Sequence, residues 1–90
     1  MRIDLFLKAS RLCLRRTIAQ KLCDAGLVSV NGRPAKSSHS VKPGDEIDFR
    51  NRNRRLKIRV LKLPESKSVA KAEAANLYEV LEEQLIEDEE

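Results

Sequence analysis

The sequence predicts an α+β fold, in which two short helices pack on a small, mostly antiparallel sheet and an acidic amphipathic helix follows at the C-terminus. Apolar residues recur at helical spacing near the N-terminus, turn signals separate alternating segments in the middle, and helical spacing returns after residue 69. The 90 residues, of which 41% are hydrophobic, suit one small folded domain rather than a disordered chain. We assign residues 1–63 to the domain, and residues 64–90 to a linker and the acidic helix.

The first helix is predicted over residues 4–10. Ile3, Phe6 and Leu7 fall at positions i, i+3 and i+4, which places them on one face of a helix. Asp4 is the expected N-cap, since its carboxylate can accept hydrogen bonds from amides of the first turn.

The second helix is predicted from about residue 18 to residue 25. Thr17 and Gln20 have the spacing of a capping box, in which each side chain satisfies a backbone amide near the start of the helix. Gly26 follows the last turn and can adopt the left-handed conformation that ends a helix.

Strands are predicted between residue 27 and residue 60. Asn31-Gly32 after a short apolar run is a strong hairpin signal, and Pro34 places the returning segment at a sheet edge. Lys42-Pro43-Gly44-Asp45 is typical of a tight turn. Residues 46–49 and 56–60 alternate polar with apolar, as half-buried strands do, and residues 50–55 are expected to form a basic loop.

The last third of the chain is predicted to be a linker followed by a helix. Residues 64–68 are the linker, and apolar residues then recur at helical spacing over 69–86, among them Leu77, Tyr78 and Leu81. This helix either packs on the sheet or serves as an interaction arm for a partner protein. The tail 87–90 is expected to fray.

Charge divides the chain into two parts. Residues 1–62 contain 16 basic and 5 acidic side chains, a net charge of +11, whereas residues 63–90 contain 2 basic and 9 acidic side chains, a net charge of −7. The net charge of the whole chain, +4, conceals this division. Such asymmetry points to a polyanionic partner for the basic part.

The same composition argues against several other classes. His39 is the only histidine, no glycine-rich phosphate loop is present, and no nucleophile has an evident base nearby, so we expect no enzyme, no cofactor and no metal site. No apolar run is long enough for a transmembrane helix, and the N-terminus does not resemble a secretory signal. Cys13 and Cys23 suit reduced thiols of a cytoplasmic protein better than a disulfide.

Arginines gather where the second helix is expected to begin. Arg11, Arg15 and Arg16 precede its N-terminus, where unsatisfied amides and the helix dipole attract anions, so phosphate contact is favoured over ordinary solvated charges. Lys21 alone is better explained as a solvated charge. Residues 50–55 are either a second basic cluster or a solubilising turn, and His39 is either an exposed loop residue or a contact to RNA. Aromatic residues are too scarce for a stacking surface.

The order of these elements closely resembles the S4 RNA-binding domain. The likeness covers roughly residues 1–50, and it is carried by Arg2-Ile-Asp-Leu-Phe-Leu7, Ser10-Arg11, Arg15-Arg16-Thr17, Ala25-Gly26, Val28-Ser-Val-Asn-Gly32, Lys36 and Lys42-Pro-Gly-Asp45. It implies an S4-type, αL-like fold. The whole chain is similar to free-standing S4 proteins of bacterial ribosome quality control, and more distantly to a small heat-shock S4 protein that binds free large ribosomal subunits.

The resemblance implies a non-catalytic factor that binds stalled large subunits in the cytoplasm. Its partners would be 23S rRNA, the P-site peptidyl-tRNA and a quality-control factor that adds tail residues without a template, and it would be a monomer off the ribosome. Leu5 and Leu14 stand where basic residues are expected. The residues expected to bind RNA are Arg2, Lys8, Arg11, Arg15, Arg16, Thr17, Arg33, Lys36, Ser38 and His39. The alternative is an S4 accessory of an RNA-modifying enzyme or a general rescue factor.

Overall fold

Five antiparallel strands form one sheet on which the helices lie. A computed structural model describes residues 1–66 and 69–85. In chain order the elements are α1 (Ile3–Ala9), α2 (Arg16–Asp24), β1 (Val28–Val30), β2 (Arg33–Pro34), β3 (Glu46–Asn51), β4 (Arg54–Val60), α3 (Lys71–Ala74) and β5 (Tyr78–Leu85). The strand order is β2-β1-β3-β4-β5, and every neighbouring pair is antiparallel. The predicted α+β class and antiparallel sheet are confirmed.

The core lies between the helix pair and one face of the sheet. Alternate residues of β3 and β4 are buried, so each strand presents one apolar face to the helices and one polar face to solvent. Phe6 of α1 and Phe49 of β3 are both buried. Further buried residues of this core are Ile3, Leu7, Ala19, Val28, Val30, Ile47, Leu56, Ile58, Val60 and Leu77.

Three turns follow the sequence prediction. Asn31 and Gly32 both have positive φ, 51° and 85°, and join β1 to the two-residue edge strand β2 that contains Pro34. Gly26 ends α2 with a φ of 76°, and Gly44 takes the positive-φ position before β3. The Asn31 side chain also accepts a hydrogen bond from the amide of Glu46, which ties the hairpin to the start of β3.

The predicted caps of both helices are wrong. Helix α1 starts at Ile3, so Asp4 lies inside its first turn rather than at the N-cap, which is Arg2. Helix α2 starts at Arg16, two residues earlier than predicted, and the capping box of Thr17 and Gln20 does not form. The physical reason is that the Gln20 amide donates to the Asp4 carboxylate at 3.0 Å, which replaces the local cap with a contact between the helices.

The predicted C-terminal helix over 69–86 is also wrong. Within the described residues this segment contains the single-turn helix α3 and the strand β5, which pairs with β4 along its length. The segment forms a strand because β4 would otherwise be an unprotected sheet edge. Pairing with β5 satisfies the backbone hydrogen-bonding groups of β4. A register shift at Lys57/Ile58 lets the segment follow the twist of β4. Residues 67–68 and 86–90, which include parts of the predicted linker, helix and tail, lie outside the described residues.

The basic segment 50–55 is less of a loop than predicted. Strand β3 continues to Asn51 and β4 starts at Arg54, so only Arg52 and Asn53 form the turn. Arg52 adopts a φ of 61°, as tight hairpins require at this position.

Cys13 and Cys23 are both free thiols in the core. Burial, with a smaller electrostatic effect of Cys23, raises the pKa of Cys13 to about 11. Among the described residues, no helix has both the length and the apolar character needed to cross a membrane.

Candidate nucleic-acid interface

A buried carboxylate organises the basic end of the helix pair. Asp4 has no exposed surface. Its Oδ1 accepts hydrogen bonds from the Leu5 amide at 2.7 Å and from Arg2 Nε at 3.2 Å. Its Oδ2 accepts from Arg2 Nη2 at 3.2 Å, Arg16 Nε at 3.1 Å and Gln20 Nε2 at 3.0 Å. One carboxylate thus joins the start of α1 to the first turns of α2. We call Asp4, Arg2, Arg16 and Gln20 the Asp4 cluster.

The cluster keeps Asp4 ionised. Burial acts to raise the pKa of Asp4, but the hydrogen bonds from Gln20, Arg16 and Arg2 outweigh it, and the pKa lies below its usual value. The side chains of Arg2 and Arg16 remain 42% and 41% exposed. Since a guanidinium has five N–H donors and each arginine uses only one or two on Asp4, the others face solvent with their orientation already fixed.

The loop of residues 35–41 lies against the start of α1. The amide of Ile3 donates to the carbonyl of His39 at 2.7 Å, and Arg2 pairs with Ser40 in an isolated β-bridge. These backbone contacts bring the loop beside the Asp4 cluster. The loop carries three of the predicted site residues: Lys36, Ser38 and His39, all of them exposed.

The N-terminus of α2 adjoins the same cluster. Arg15 is its N-cap residue, and within the described part of the chain no side chain caps this end and no acid occupies its first turn. Arg15 and Thr17 are both exposed. Free amides, the positive end of the helix dipole and two arginines therefore meet here, an arrangement that suits a phosphate group.

Three of the predicted site residues lie outside the Asp4 cluster, the loop 35–41 and the N-terminus of α2. Arg11 has a φ of 63°, and its Nη2 donates to the carbonyl of Val69 at 3.3 Å. Lys8 is exposed on the last turn of α1, and Arg33 is exposed on the edge strand β2. No ion pair or side-chain hydrogen bond joins any of these three to the cluster within residues 1–66 and 69–85.

The basic side chains of β4 are paired with acids. Four basic side chains of β4 form ion pairs with five carboxylates of β3 and β5: Arg54 with Glu83, Arg55 with Asp48, Lys57 with Glu46 and Glu82, and Arg59 with Glu46 and Glu79. In contrast, none of Lys8, Arg15 and Lys36 has an ion-pair partner among the described residues. Cations without an acidic partner among the described residues therefore lie on the helices and the loop 35–41, and also at Arg50 and Arg52 beside the β3–β4 turn.

Sequence reasoning missed the role of Asp4 and Gln20. A signal was available, because Asp4 is the only acid among the first 23 residues of a strongly basic segment. A lone acid on the apolar side of a helix, surrounded in sequence by arginines, is typical of a buried charge that requires partners.

The arrangement of helices and hairpin can be compared with known proteins. The family model of the S4 domain matches residues 1–47, which contain α1, α2, the β1–β2 hairpin and the loop 35–41. This chain belongs to the S4 domain family. The resemblance identified from the sequence motifs is thereby confirmed.

Relatives of this S4 protein match almost its entire length. The RQC P-site tRNA stabilizing factor of Bacillus subtilis is 45% identical, with 93% of this chain and 95% of that protein covered. The protein of the same name from Streptococcus pneumoniae is 40% identical, with 98% of each chain covered. In three dimensions, the trimeric structure of Vibrio cholerae heat shock protein 15 superposes with a TM-score of 0.81 at 31% identity, covering 89% of this chain and 80% of that one.

Proposed function

We propose that this chain is a non-catalytic RNA-binding factor of bacterial ribosome quality control. It binds stalled large ribosomal subunits against 23S rRNA and peptidyl-tRNA, and it holds that tRNA in the P site while a partner factor adds tail residues without a template. The observation that carries the proposal is the 45% identity, over 93% of this chain, to a protein named as an RQC P-site tRNA stabilizing factor. We further propose that the protein acts in the cytoplasm and is a monomer off the ribosome.

The proposed RNA surface is centred on the Asp4 cluster. Arg2 and Arg16 would contact phosphates with their free N–H groups, and Arg15 and Thr17 would add the N-terminus of α2. A second group of contacts would come from the loop and the outlying cations: Lys36, Ser38, His39, Lys8, Arg11 and Arg33. Phosphate contacts position a protein without reading sequence, which suits the recognition of a folded RNA by its shape.

Asp4 serves this function as a positioning residue. It holds two guanidinium groups in place before RNA arrives, so less side-chain entropy is lost on binding. The charge that it neutralises is small compared with the net +11 of residues 1–62. Preorganisation therefore outweighs the partial loss of positive potential.

Two alternative functions follow from the sequence, an interaction arm for a partner protein and an accessory role for an RNA-modifying enzyme. An interaction arm formed by an acidic helix loses its basis, because Glu79, Glu82 and Glu83 lie on β5 and pair with β4. An accessory role for an RNA-modifying enzyme uses the same RNA surface, so only the partner separates it from the first proposal.

Sedimentation of the tagged protein on a sucrose gradient separates these functions. We expect the protein to migrate with large subunits that carry peptidyl-tRNA, and to migrate less with empty subunits. Recovery in fractions that contain an RNA-modifying enzyme, and absence from large subunits, would favour the accessory role. Sedimentation equilibrium of the free protein tests the proposed monomer.

The salt dependence of binding is an independent test of phosphate contact. Each phosphate contact steepens the fall of log K with log salt by about 0.7 to 0.9. Four contacts from Arg2, Arg15, Arg16 and Lys36 therefore predict a slope of about −3. A flat response between 50 and 300 mM salt would contradict a phosphate-led mode of binding.

A further inference from the structure

A small cavity opens between the α1–α2 loop and the sheet. Its volume is about 170 Å³. Leu12 comes from the loop, and Phe49 and Leu56 come from β3 and β4. Phe49 and Leu56 close the inner end of the cavity, but both are almost fully buried in the core, so the accessible lining is mainly polar.

The side chains at the walls of the cavity are aromatic, polar or basic. Tyr78 of β5 adds an aromatic ring and is partly buried against the core. Asn51 adds a half-buried amide, which can both donate and accept hydrogen bonds. Arg11 and Arg54 stand at the same cavity. An aromatic ring, an amide and the guanidinium group of Arg11 are groups that recognise a nucleobase and its phosphate.

The size of the cavity matches one ring. An apolar cavity of about 150 Å³ accommodates benzene, and a pyrimidine base has a six-membered ring of similar dimensions. The cavity is smaller than the roughly 300 Å³ at which drug-sized ligand pockets begin. The cavity has room for one pyrimidine ring, and the sugar and phosphate of that nucleotide would lie at its open rim near Arg11.

Both arginines at the cavity are held in place. Arg11 has a φ of 63°, a conformation that is uncommon outside glycine, asparagine and aspartate, and its guanidinium donates to the Val69 carbonyl at 3.3 Å. Arg54 is held by Glu83, with Nε and Oε2 2.9 Å apart. Backbone strain of this kind is concentrated at functional sites.

We propose that this cavity binds a single unstacked base of the RNA that the protein contacts. The inference rests on the proposed RNA-binding function and adds a base-specific contact to a surface otherwise made for phosphates. Tyr78 stacks on the base or meets its edge, Asn51 hydrogen-bonds to it, and Arg11 contacts a flanking phosphate, while Arg54 stays paired with Glu83 at the rim.

Two RNA hairpins test the proposal. Both have the same stem with one single-nucleotide bulge, which is a uridine in the first and an abasic ribose in the second. Their phosphate charge is equal, so any difference in binding comes from the base. Because Tyr78 is the only tyrosine and the chain has no tryptophan, intrinsic fluorescence reports on this site alone.

We expect the uridine bulge to bind at least about fivefold more tightly than the abasic bulge, the lower end of what stacking one base contributes. It should also quench Tyr78, whereas the abasic RNA should not. Tyr78→Leu keeps an apolar side chain on β5 and should bind the two RNAs equally, whereas Tyr78→Phe should retain the preference. Circular dichroism of each variant confirms that it folds.

The outcomes separate this inference from the proposed function. If wild-type protein binds both hairpins equally and tightly, the base site is wrong and RNA binding stands. If Arg16→Ala weakens both complexes and leaves their ratio unchanged, phosphate contact and base contact are independent, as we propose. A preference for uridine that survives in Tyr78→Leu would place the base elsewhere and overturn the assignment. If no RNA binds, both proposals fail.

Discussion

Replacing Asp4 with asparagine distinguishes positioning from simple charge. Asn has nearly the same shape but carries no charge, and it can accept at only one oxygen. The substitution leaves the two guanidinium groups with one neutral acceptor in place of a shared carboxylate. A hydrogen bond to a charged group contributes about 1.5 to 3 kcal/mol. Because Arg2 and Arg16 are about two-fifths exposed and water can replace the lost contacts, we expect a loss of about 2 kcal/mol in the free energy of unfolding.

A charge effect of Asp4 and a positioning effect of Asp4 predict opposite changes in RNA affinity for Asp4→Asn. Asp4→Asn makes the protein more positive, so an account based on charge alone predicts tighter binding. The positioning account predicts weaker binding, because each freed arginine loses about 0.5 to 1.5 kcal/mol of side-chain entropy when RNA orders it. For Arg2 and Arg16 together, this amounts to a fivefold or larger rise in Kd.

Fluorescence anisotropy with a labelled RNA hairpin measures this effect, and urea unfolding measures stability. Asp24→Asn is the matched control, because it makes the same charge change at an exposed residue at the end of α2. If folded Asp4→Asn binds RNA as tightly as Asp24→Asn, or more tightly, the positioning role of Asp4 is refuted.

Further predictions concern acid, the sheet edge and the core. Since the pKa of Asp4 is lowered in the folded state, its contribution to stability is complete above the ordinary carboxyl value of about 3.9, and it disappears as the pH falls through the lowered value. The difference in unfolding free energy between wild type and Asp4→Asn should therefore be constant above about pH 5 and shrink in more acidic solution; a constant difference down to pH 2 would contradict this. The double variant Glu79→Gln, Glu83→Gln removes two ion pairs of β5, so it should bind an unrelated duplex RNA several-fold more tightly; unchanged affinity would show that β5 does not limit the basic surface. Leu77→Ala should lower the unfolding free energy by about 3 kcal/mol because Leu77 is buried, whereas Leu85→Ala, at a residue 71% exposed, should change it by less than about 0.5 kcal/mol.

Local chemistry made much of the fold predictable. Asn31-Gly32 needs positive φ at both residues, and few backbone arrangements other than a tight hairpin provide it. Gly26 and Gly44 marked the end of α2 and the turn before β3 for the same reason. In each of these places the preferred conformation of a residue and the tertiary structure agree.

Long-range contacts made the rest unpredictable. Leu77, Leu81 and Leu85 have the spacing of an amphipathic helix, yet the segment forms a strand because β4 offers a partner edge and basic side chains to its glutamates. Likewise, Asp4 and Gln20 have the local features of caps, but they bond to one another across 16 positions in sequence. Local spacing identifies neither partner, although the position of Asp4 as a lone acid in a basic segment indicates that it needs one.

The central claim is that RNA binds the Asp4 cluster and not the paired cations of β4, and a comparison of two arginines tests it most directly. Arg16 and Arg59 have the same side-chain exposure, 41%, and both form ion pairs. The measurement is the Kd of Arg16→Ala and of Arg59→Ala for large ribosomal subunits that carry peptidyl-tRNA. We predict that Arg16→Ala raises Kd tenfold or more, about the contribution of one charged hydrogen bond, and that Arg59→Ala changes it less than about twofold. Equal losses in the two variants, or a larger loss in Arg59→Ala, would contradict the claim.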